Sequence, residues 1–155
     1  MELKTKIKAE DGRQDLLITR EFDLPVELLF KAYAEPEFVE QWMGTKVLKL
    51  ESKSHGSYRF ETSDAKGNVV FKANGVIHEF SPGKKIIRTF EMENAPFGIQ
   101  LEIYEFEALT DDTSKLTMHV IYESADKRDQ LMQLPFKQGL NMAHNRLQDV
   151  MGKLK

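Results

Sequence analysis

Residues 18–43, ITREFDLPVELLFKAYAEPEFVEQWM, constrain the fold of this chain more than any other stretch. They read as a strand end, two short helices each opened by a proline, and the single tryptophan of the sequence. A proline suits a helix start, because its fixed φ fits the first turn and its missing N–H has no intrahelical partner there. Pro25 and Pro36 occupy such places. Val26, Leu29, Phe30 and Tyr33 follow at i, i+3, i+4 and i+7, one apolar stripe, and Phe38, Val39 and Trp42 repeat it over a shorter span. Gly44 ends the pattern. A plain helical hairpin rarely needs this layout, whereas a pair of helices plugging the mouth of a curved sheet does.

The flanking sequence supplies that sheet. Residues 16–22 alternate as a strand, with Leu16, Ile18, Arg20 and Phe22 on one parity. After the helices the chain turns β-rich, with strands expected at 47–50, 57–62, 69–80, 85–93, 101–109 and 115–122. The breaks between them, such as Ser81-Pro82-Gly83 and Asp111-Asp112-Thr113, are short and suited to hairpins. Strands joined so closely form an antiparallel meander, since parallel pairing needs crossover helices. Gly75, inside the longest run, is expected to mark a bulge or sharp bend.

Beyond Tyr122 the periodicity becomes helical. Ser124 or Asp126 can cap, and Met132, Phe136, Leu140, Ala143, Leu147, Val150 or Met151, and Leu154 step by threes and fours. Lys153 and Lys155 lie at the negative end of this helix. Pro135 predicts a break near Leu134, with the main helix starting there. The order β, αα, antiparallel strands, long α is an α+β arrangement. Seven or so strands are too many for one helix to cover while flat, so the sheet is expected to curl around the C-terminal helix and leave a cavity. Residues 1–155 are read as one domain; the first fourteen are either an added edge strand or a loose arm.

Composition narrows the function classes. A chain of 155 residues can bury a sizeable core. A formal net charge of −3, with Lys and Arg dispersed among carboxylates, argues against nucleic-acid binding. No apolar run approaches membrane-spanning length, and the N-terminal residues lack a signal-peptide core. The absence of cysteine excludes disulfides and thiolate chemistry, and a cytoplasmic location is expected.

Four places carry a resemblance to a known family: Thr19-Arg20-Glu21-Phe22-Asp23-Leu24-Pro25 leading to Pro36-Glu37 and Trp42; Gly75 through Ile87, with its Ser81-Pro82-Gly83 turn; Leu116-Thr117-Met118-His119; and Arg128-Asp129 with Lys137-Gln138-Gly139-Leu140 and Arg146-Leu147. In order and spacing these resemble the START-like (SRPBCC) superfamily, and within it the proteins related to the activator of Hsp90 ATPase. The resemblance implies a helix-grip fold and a ligand cavity between sheet and terminal helix. Pro135 with Phe136, and Arg88, depart from the family pattern near positions that would line or flank that cavity.

The four histidines, His55, His78, His119 and His144, have no metal-ligand spacing, and no nucleophile elbow or phosphate-binding glycine loop occurs. No catalytic residue, metal or cofactor is assigned. His119 is either a polar tip inside the cavity or an outward residue beside Thr117; His78 has the same ambiguity, and His144 is expected at the edge of the buried helix stripe. Arg20 and Arg88 share strand parity with apolar neighbours, so each needs a carboxylate or an anion. Glu21, Glu79, Glu91 and Glu105 are candidate partners for a structural salt bridge, a snorkelling arginine is the second structural reading, and contact with an acidic ligand group is the other. The candidate ligand-contacting set is Trp42, Met43, Tyr58, Phe60, Phe71, Phe90, Met92, Tyr104, Phe106, His119, Phe136 and Leu140, large side chains drawn from helices and several strands.

The leading function is a module that binds a small hydrophobic or aromatic-bearing ligand, as a monomer or homodimer. A cyclase- or hydrolase-like enzyme would use Tyr58, Tyr104, His78 and His119. A third reading, a chaperone partner that stimulates an Hsp90-type ATPase, follows from the family resemblance alone. It ranks last, because the eukaryotic co-chaperone carries a further N-terminal domain for which this length is expected to leave no room.

Overall fold

The computed structural model describes residues 3–155. Its strands are β1 (Lys6–Lys8), β2 (Asp15–Phe22), β3 (Lys46–Leu50), β4 (Ser57–Ser63), β5 (Val69–Ser81), β6 (Lys85–Met92), β7 (Ile99–Ala108) and β8 (Ser114–Ile121). Helices α1 (Val26–Ala34) and α2 (Pro36–Met43) follow β2, and α3 (Ala125–Met132) and α4 (Phe136–Gly152) close the chain. The strands form one antiparallel, curved sheet in the order β1-β2-β8-β7-β6-β5-β4-β3. From β3 to β8 each strand pairs with its successor, as the short turns predicted. This is the helix-grip arrangement, with the sheet wrapped on the terminal helix. Among the described residues no helix is long and apolar enough to cross a membrane.

The early residues are not a loose arm throughout. Lys6 to Lys8 pair with Leu17 to Thr19, adding β1 as an edge strand. Thr5 then fastens this edge to α4: its N–H donates to Asn141 Oδ1 at 3.0 Å, and its hydroxyl lies 2.6 Å from His144 Nδ1. His144 is fully buried, deeper than the edge position expected from periodicity, because Phe22 and Thr5 cover it. Gln148 and the Asp23 backbone exchange two hydrogen bonds, so α4 is stapled to both ends of the N-terminal sheet region.

Alternation decides which face is buried. Leu16, Ile18 and Phe22 of β2 and Leu116, Met118 and Val120 of β8 point inward, where they meet Leu29, Phe30 and Tyr33 of α1, Trp42 of α2, and Leu147 and Met151 of α4. Burial of such side chains supplies the main folding drive, about 1.5–3 kcal/mol for each large residue. Pro25 is the N-cap of α1 and Pro36 the first residue of α2, while Gly44, at φ 65°, ends α2 in the left-handed conformation that glycine adopts without strain. Ser124 caps α3 by accepting from the Lys127 N–H. The break at Pro135 separates α3 from α4.

The bulge or sharp bend expected at Gly75 has its register shift beside the glycine, not at it. The β5–β6 register shifts two residues later, between Ile77 and Glu79. At Gly75 the requirement is closeness: a Cβ there would lie 2.0 Å from the Thr89 carbonyl oxygen and 2.5 Å from the Tyr58 ring. Tyr58 uses that space to donate its hydroxyl to Thr89 O.

Candidate functional site

A cavity of about 250 Å³ lies between the concave face of the sheet and α4. Its deep part is built from inward-facing strand residues, Ile18, Met118, Val120, Arg88, Glu102 and Tyr104, joined by Tyr33, Trp42 and Tyr122. Half-buried Met43, Phe90, Met92, Phe97, Gln100, Phe136 and Leu140 form the outer part. Each element contributes for a local reason. Alternation aims β6, β7 and β8 side chains inward, the C-terminal turn of α2 delivers Trp42 and Met43, and the break at Pro135 sets Phe136 on the first turn of α4.

Arg88, Glu102, Tyr104 and Gln100 form one connected polar cluster in this apolar hollow. Arg88 and Glu102 stand directly opposite in the β6–β7 ladder, and Arg88 Nε donates to Glu102 Oε1 at 2.9 Å. Arg88 Nη2 donates to the Tyr104 hydroxyl, which donates to the same Oε1, both at 2.9 Å. Gln100 Nε2 donates to Glu102 Oε2 at 2.8 Å. The Arg88 guanidinium also sits 4.7 Å from the Tyr58 ring centre and 4.9 Å from that of Tyr104, a double cation–π contact. Burial opposes the Arg88 charge, yet the oxygens of Tyr104, Tyr58 and Glu102 around it hold its pKa well above the ordinary arginine value. Burial raises the pKa of all four tyrosines, so each is a neutral phenol with a proton to donate. Tyr122 Oη is buried without a partner among the described residues.

Of the twelve candidate contact residues, Trp42, Met43, Phe90, Met92, Tyr104, Phe136 and Leu140 line this cavity. The other five are elsewhere. Tyr58 and Phe60 fill the core beside it, with Tyr58 committed to Thr89. Phe106 packs at 5.0 Å from Phe30 and 5.7 Å from Tyr33. Phe71 is half-buried and stands outside the core cluster. His119 lies on the opposite face of the sheet, where Nε2 meets Asp15 Oδ2 at 2.8 Å and the side chain is 39% exposed. Asp15 is held well below the usual carboxylate range by its hydrogen bonds to Arg13 and His119.

The partner of Arg88 is not one of the four glutamates named from sequence. Glu102 shares strand parity with Tyr104 and Phe106, and that parity is the signal that would have marked it as inward. Phe97, in the turn between β6 and β7, carries only the weaker signal of an aromatic residue inside a turn. Arg20 is buried and donates to Asn145 Oδ1 at 3.0 Å, Asn141 Oδ1 at 3.3 Å and the Glu21 carbonyl, with its guanidinium over Phe22. The four side chains considered for acid–base work do not converge: His78 is exposed, His119 faces outward, Tyr58 is tied to Thr89, and Tyr104 alone reaches the cavity. Among the described residues no group of three or more metal-ligating side chains comes together.

Solved structures share this architecture throughout. A Rhodobacter sphaeroides protein aligns with a TM-score of 0.86 at 17% identity, covering 97% of this chain and 99% of its own. A Mycobacterium smegmatis protein gives 0.82 at 20% identity over 95% and 96% of the two chains. An Arthrobacter aurescens protein gives 0.84 at 14% identity over 96% and 91%. At such identities the likeness is one of fold. A comparison with curated proteins gives no significant match. The family model described as "Activator of Hsp90 ATPase homolog 1-like protein" matches residues 23–152, from the end of β2 through the last turn of α4, and the chain belongs to that family.

Proposed function

We propose that the protein binds a small, largely apolar molecule in the cavity between the sheet and α4. One observation carries the reading: a hollow of about 250 Å³ walled mainly by aromatic and methionine side chains, with most of its polar groups gathered in a single cluster. Small-molecule sites have this composition, an apolar lining with a few placed polar groups. A dry apolar cavity of roughly 150 Å³ accommodates benzene, so this one suits a ligand of about two fused rings or a comparable short chain. The adaptable side chains of Met43 and Met92 at the outer part fit such an occupant.

The test is a thermal-shift screen of aromatic metabolites and short lipids, followed by native mass spectrometry of each hit. A ligand that stabilises the protein and rides with it in 1:1 complex supports the reading. Loss of that stabilisation on Leu140→Trp, which fills the hollow from α4, locates it. A hit unaffected by the filling substitution binds elsewhere, and the proposal fails.

A further inference from the structure

The cluster at the deep end of the cavity has an excess of hydrogen-bond donors and no net charge. Arg88 and Glu102 are the two ionic groups in the lining, and they are already paired with each other. Glu102 is nearly saturated: Oε1 accepts from Arg88 and Tyr104, and Oε2 from Gln100. The donors are not. Arg88 has five N–H hydrogens, of which Nε spends one on Glu102 and Nη2 one on Tyr104. The hydrogen bonds of Arg88 here use Nε and Nη2 and leave Nη1 over, and the buried hydroxyl of Tyr122, which lines the same space, meets no acceptor among the described residues.

Two consequences follow from elementary electrostatics. A buried donor without an acceptor is costly, so an occupant that brings an acceptor gains what the protein lacks. An occupant that brings a full negative charge would place it beside the Glu102 carboxylate in an apolar enclosure, where Arg88 is already neutralised. A cationic occupant would meet the same objection from Arg88. We propose that this cavity selects uncharged molecules whose apolar body carries one hydrogen-bond acceptor, such as a ketone, amide or ester carbonyl, and discriminates against the corresponding carboxylates. The acceptor sits at the free edge of the Arg88 guanidinium, with the Tyr122 hydroxyl a second donor in the same lining, and the apolar body lies along Met92, Phe136 and Leu140. This inference rests on the binding reading above and adds the chemical class of the ligand.

Three probes of nearly equal shape test it: 2-acetylnaphthalene as the neutral acceptor, 2-naphthoate as the anion, and 2-ethylnaphthalene as the hydrocarbon. Their affinities are measured by titration calorimetry at neutral pH on the wild-type protein, Glu102→Gln and Arg88→Met, each checked for native circular dichroism. The ketone is expected to bind wild type about tenfold or more tightly than either of the others, the size of one good hydrogen bond to a charged donor. In Glu102→Gln the Arg88 charge is left uncompensated, so naphthoate gains about tenfold or more and overtakes the ketone. In Arg88→Met the advantage of the ketone over the hydrocarbon disappears. Naphthoate or ethylnaphthalene binding wild type as tightly as the ketone overturns the selectivity while leaving the cavity a binding site. If none of the three binds, the selectivity proposal falls, and the wider screen above decides the binding reading. The wild-type comparison decides the matter even where a variant fails to fold.

Discussion

The indole N–H of Trp42 points at the carbonyl of Ala32, 2.7 Å away, and ties the end of α2 to the last turn of α1. Carbonyls in a last helical turn have no partner within their own helix, so the tryptophan satisfies a group the helix leaves open. Its ring also packs edge-on against Tyr33 at 5.1 Å and forms part of the cavity wall. Trp42→Phe keeps an aromatic ring but removes the donor. We predict a loss of about 2–3 kcal/mol in urea unfolding, combining an unpaired buried carbonyl with lost volume. A loss under about 0.5 kcal/mol would mean that this hydrogen bond does not hold the helical pair together.

At Gly75 the prediction concerns space rather than flexibility. Even one methyl group would collide with the Thr89 carbonyl and the Tyr58 ring. Gly75→Ala should cost about 3 kcal/mol or more, since backbone rather than a flexible side chain must move. Tyr58→Phe, which only removes the hydroxyl bonded to Thr89, should cost about 1–2 kcal/mol. Equal losses for the two, read from chemical denaturation, would contradict the steric argument.

His144 links stability to acid. Burial, and secondarily the charge of Arg20, pushes its pKa from 6.5 down to about 3 in the folded protein. The unfolded chain therefore binds a proton that the folded chain refuses between those values. The resulting stability is fully present above pH 6.5 and is lost as pH falls toward 3. His144→Asn removes this titration. Its unfolding free energy, followed from pH 7 to pH 4, should fall less steeply than that of wild type. Parallel curves for the two proteins would show that His144 is not held neutral.

The Arg88–Glu102 pair gives a double-mutant prediction. Arg88→Met alone leaves Glu102 buried without its cation, and Glu102→Leu alone strands Arg88; each should destabilise by about 2–4 kcal/mol. The double variant replaces an ion pair with apolar volume and should be more stable than either single variant. Additive losses in a thermodynamic cycle would show that the two residues act independently despite their 2.9 Å contact.

Much of this architecture was legible because it follows local rules. Strand alternation, the two helix-starting prolines, the turns between successive strands and the break at Pro135 each act over a few residues, and the observed elements begin and end close to where those signals stand. Parity correctly set Leu16, Ile18, Arg20 and Phe22 inward. What escaped was pairing at a distance. Residues 1–14 carry alternating charge with little apolar signal, and only contact with β2 and α4 defines β1 and the Thr5 clasp. His119 could be placed only once its partner Asp15 was known. Glu102 was overlooked among many glutamates because its partner lies across the sheet, not beside it in sequence. Inward aromatics such as Phe106 and Phe60 also look alike in sequence, whether they fill the core or wall a cavity.

The order of strands in the sheet carries a kinetic consequence. From β3 to β8 each pairing joins neighbours through a short turn, but β2 must return across the whole meander, so that Asp15 meets His119 from 104 positions away. Closing a loop of that length costs about 2–3 kcal/mol more entropy than closing a hairpin of about five residues. The hairpins can therefore zip early, whereas the seam between β2 and β8 closes only when enough apolar surface is gathered to offset that entropy. Until it closes, the inner edge of β8 is exposed, and a second nascent chain could offer its own β2 to the same edge.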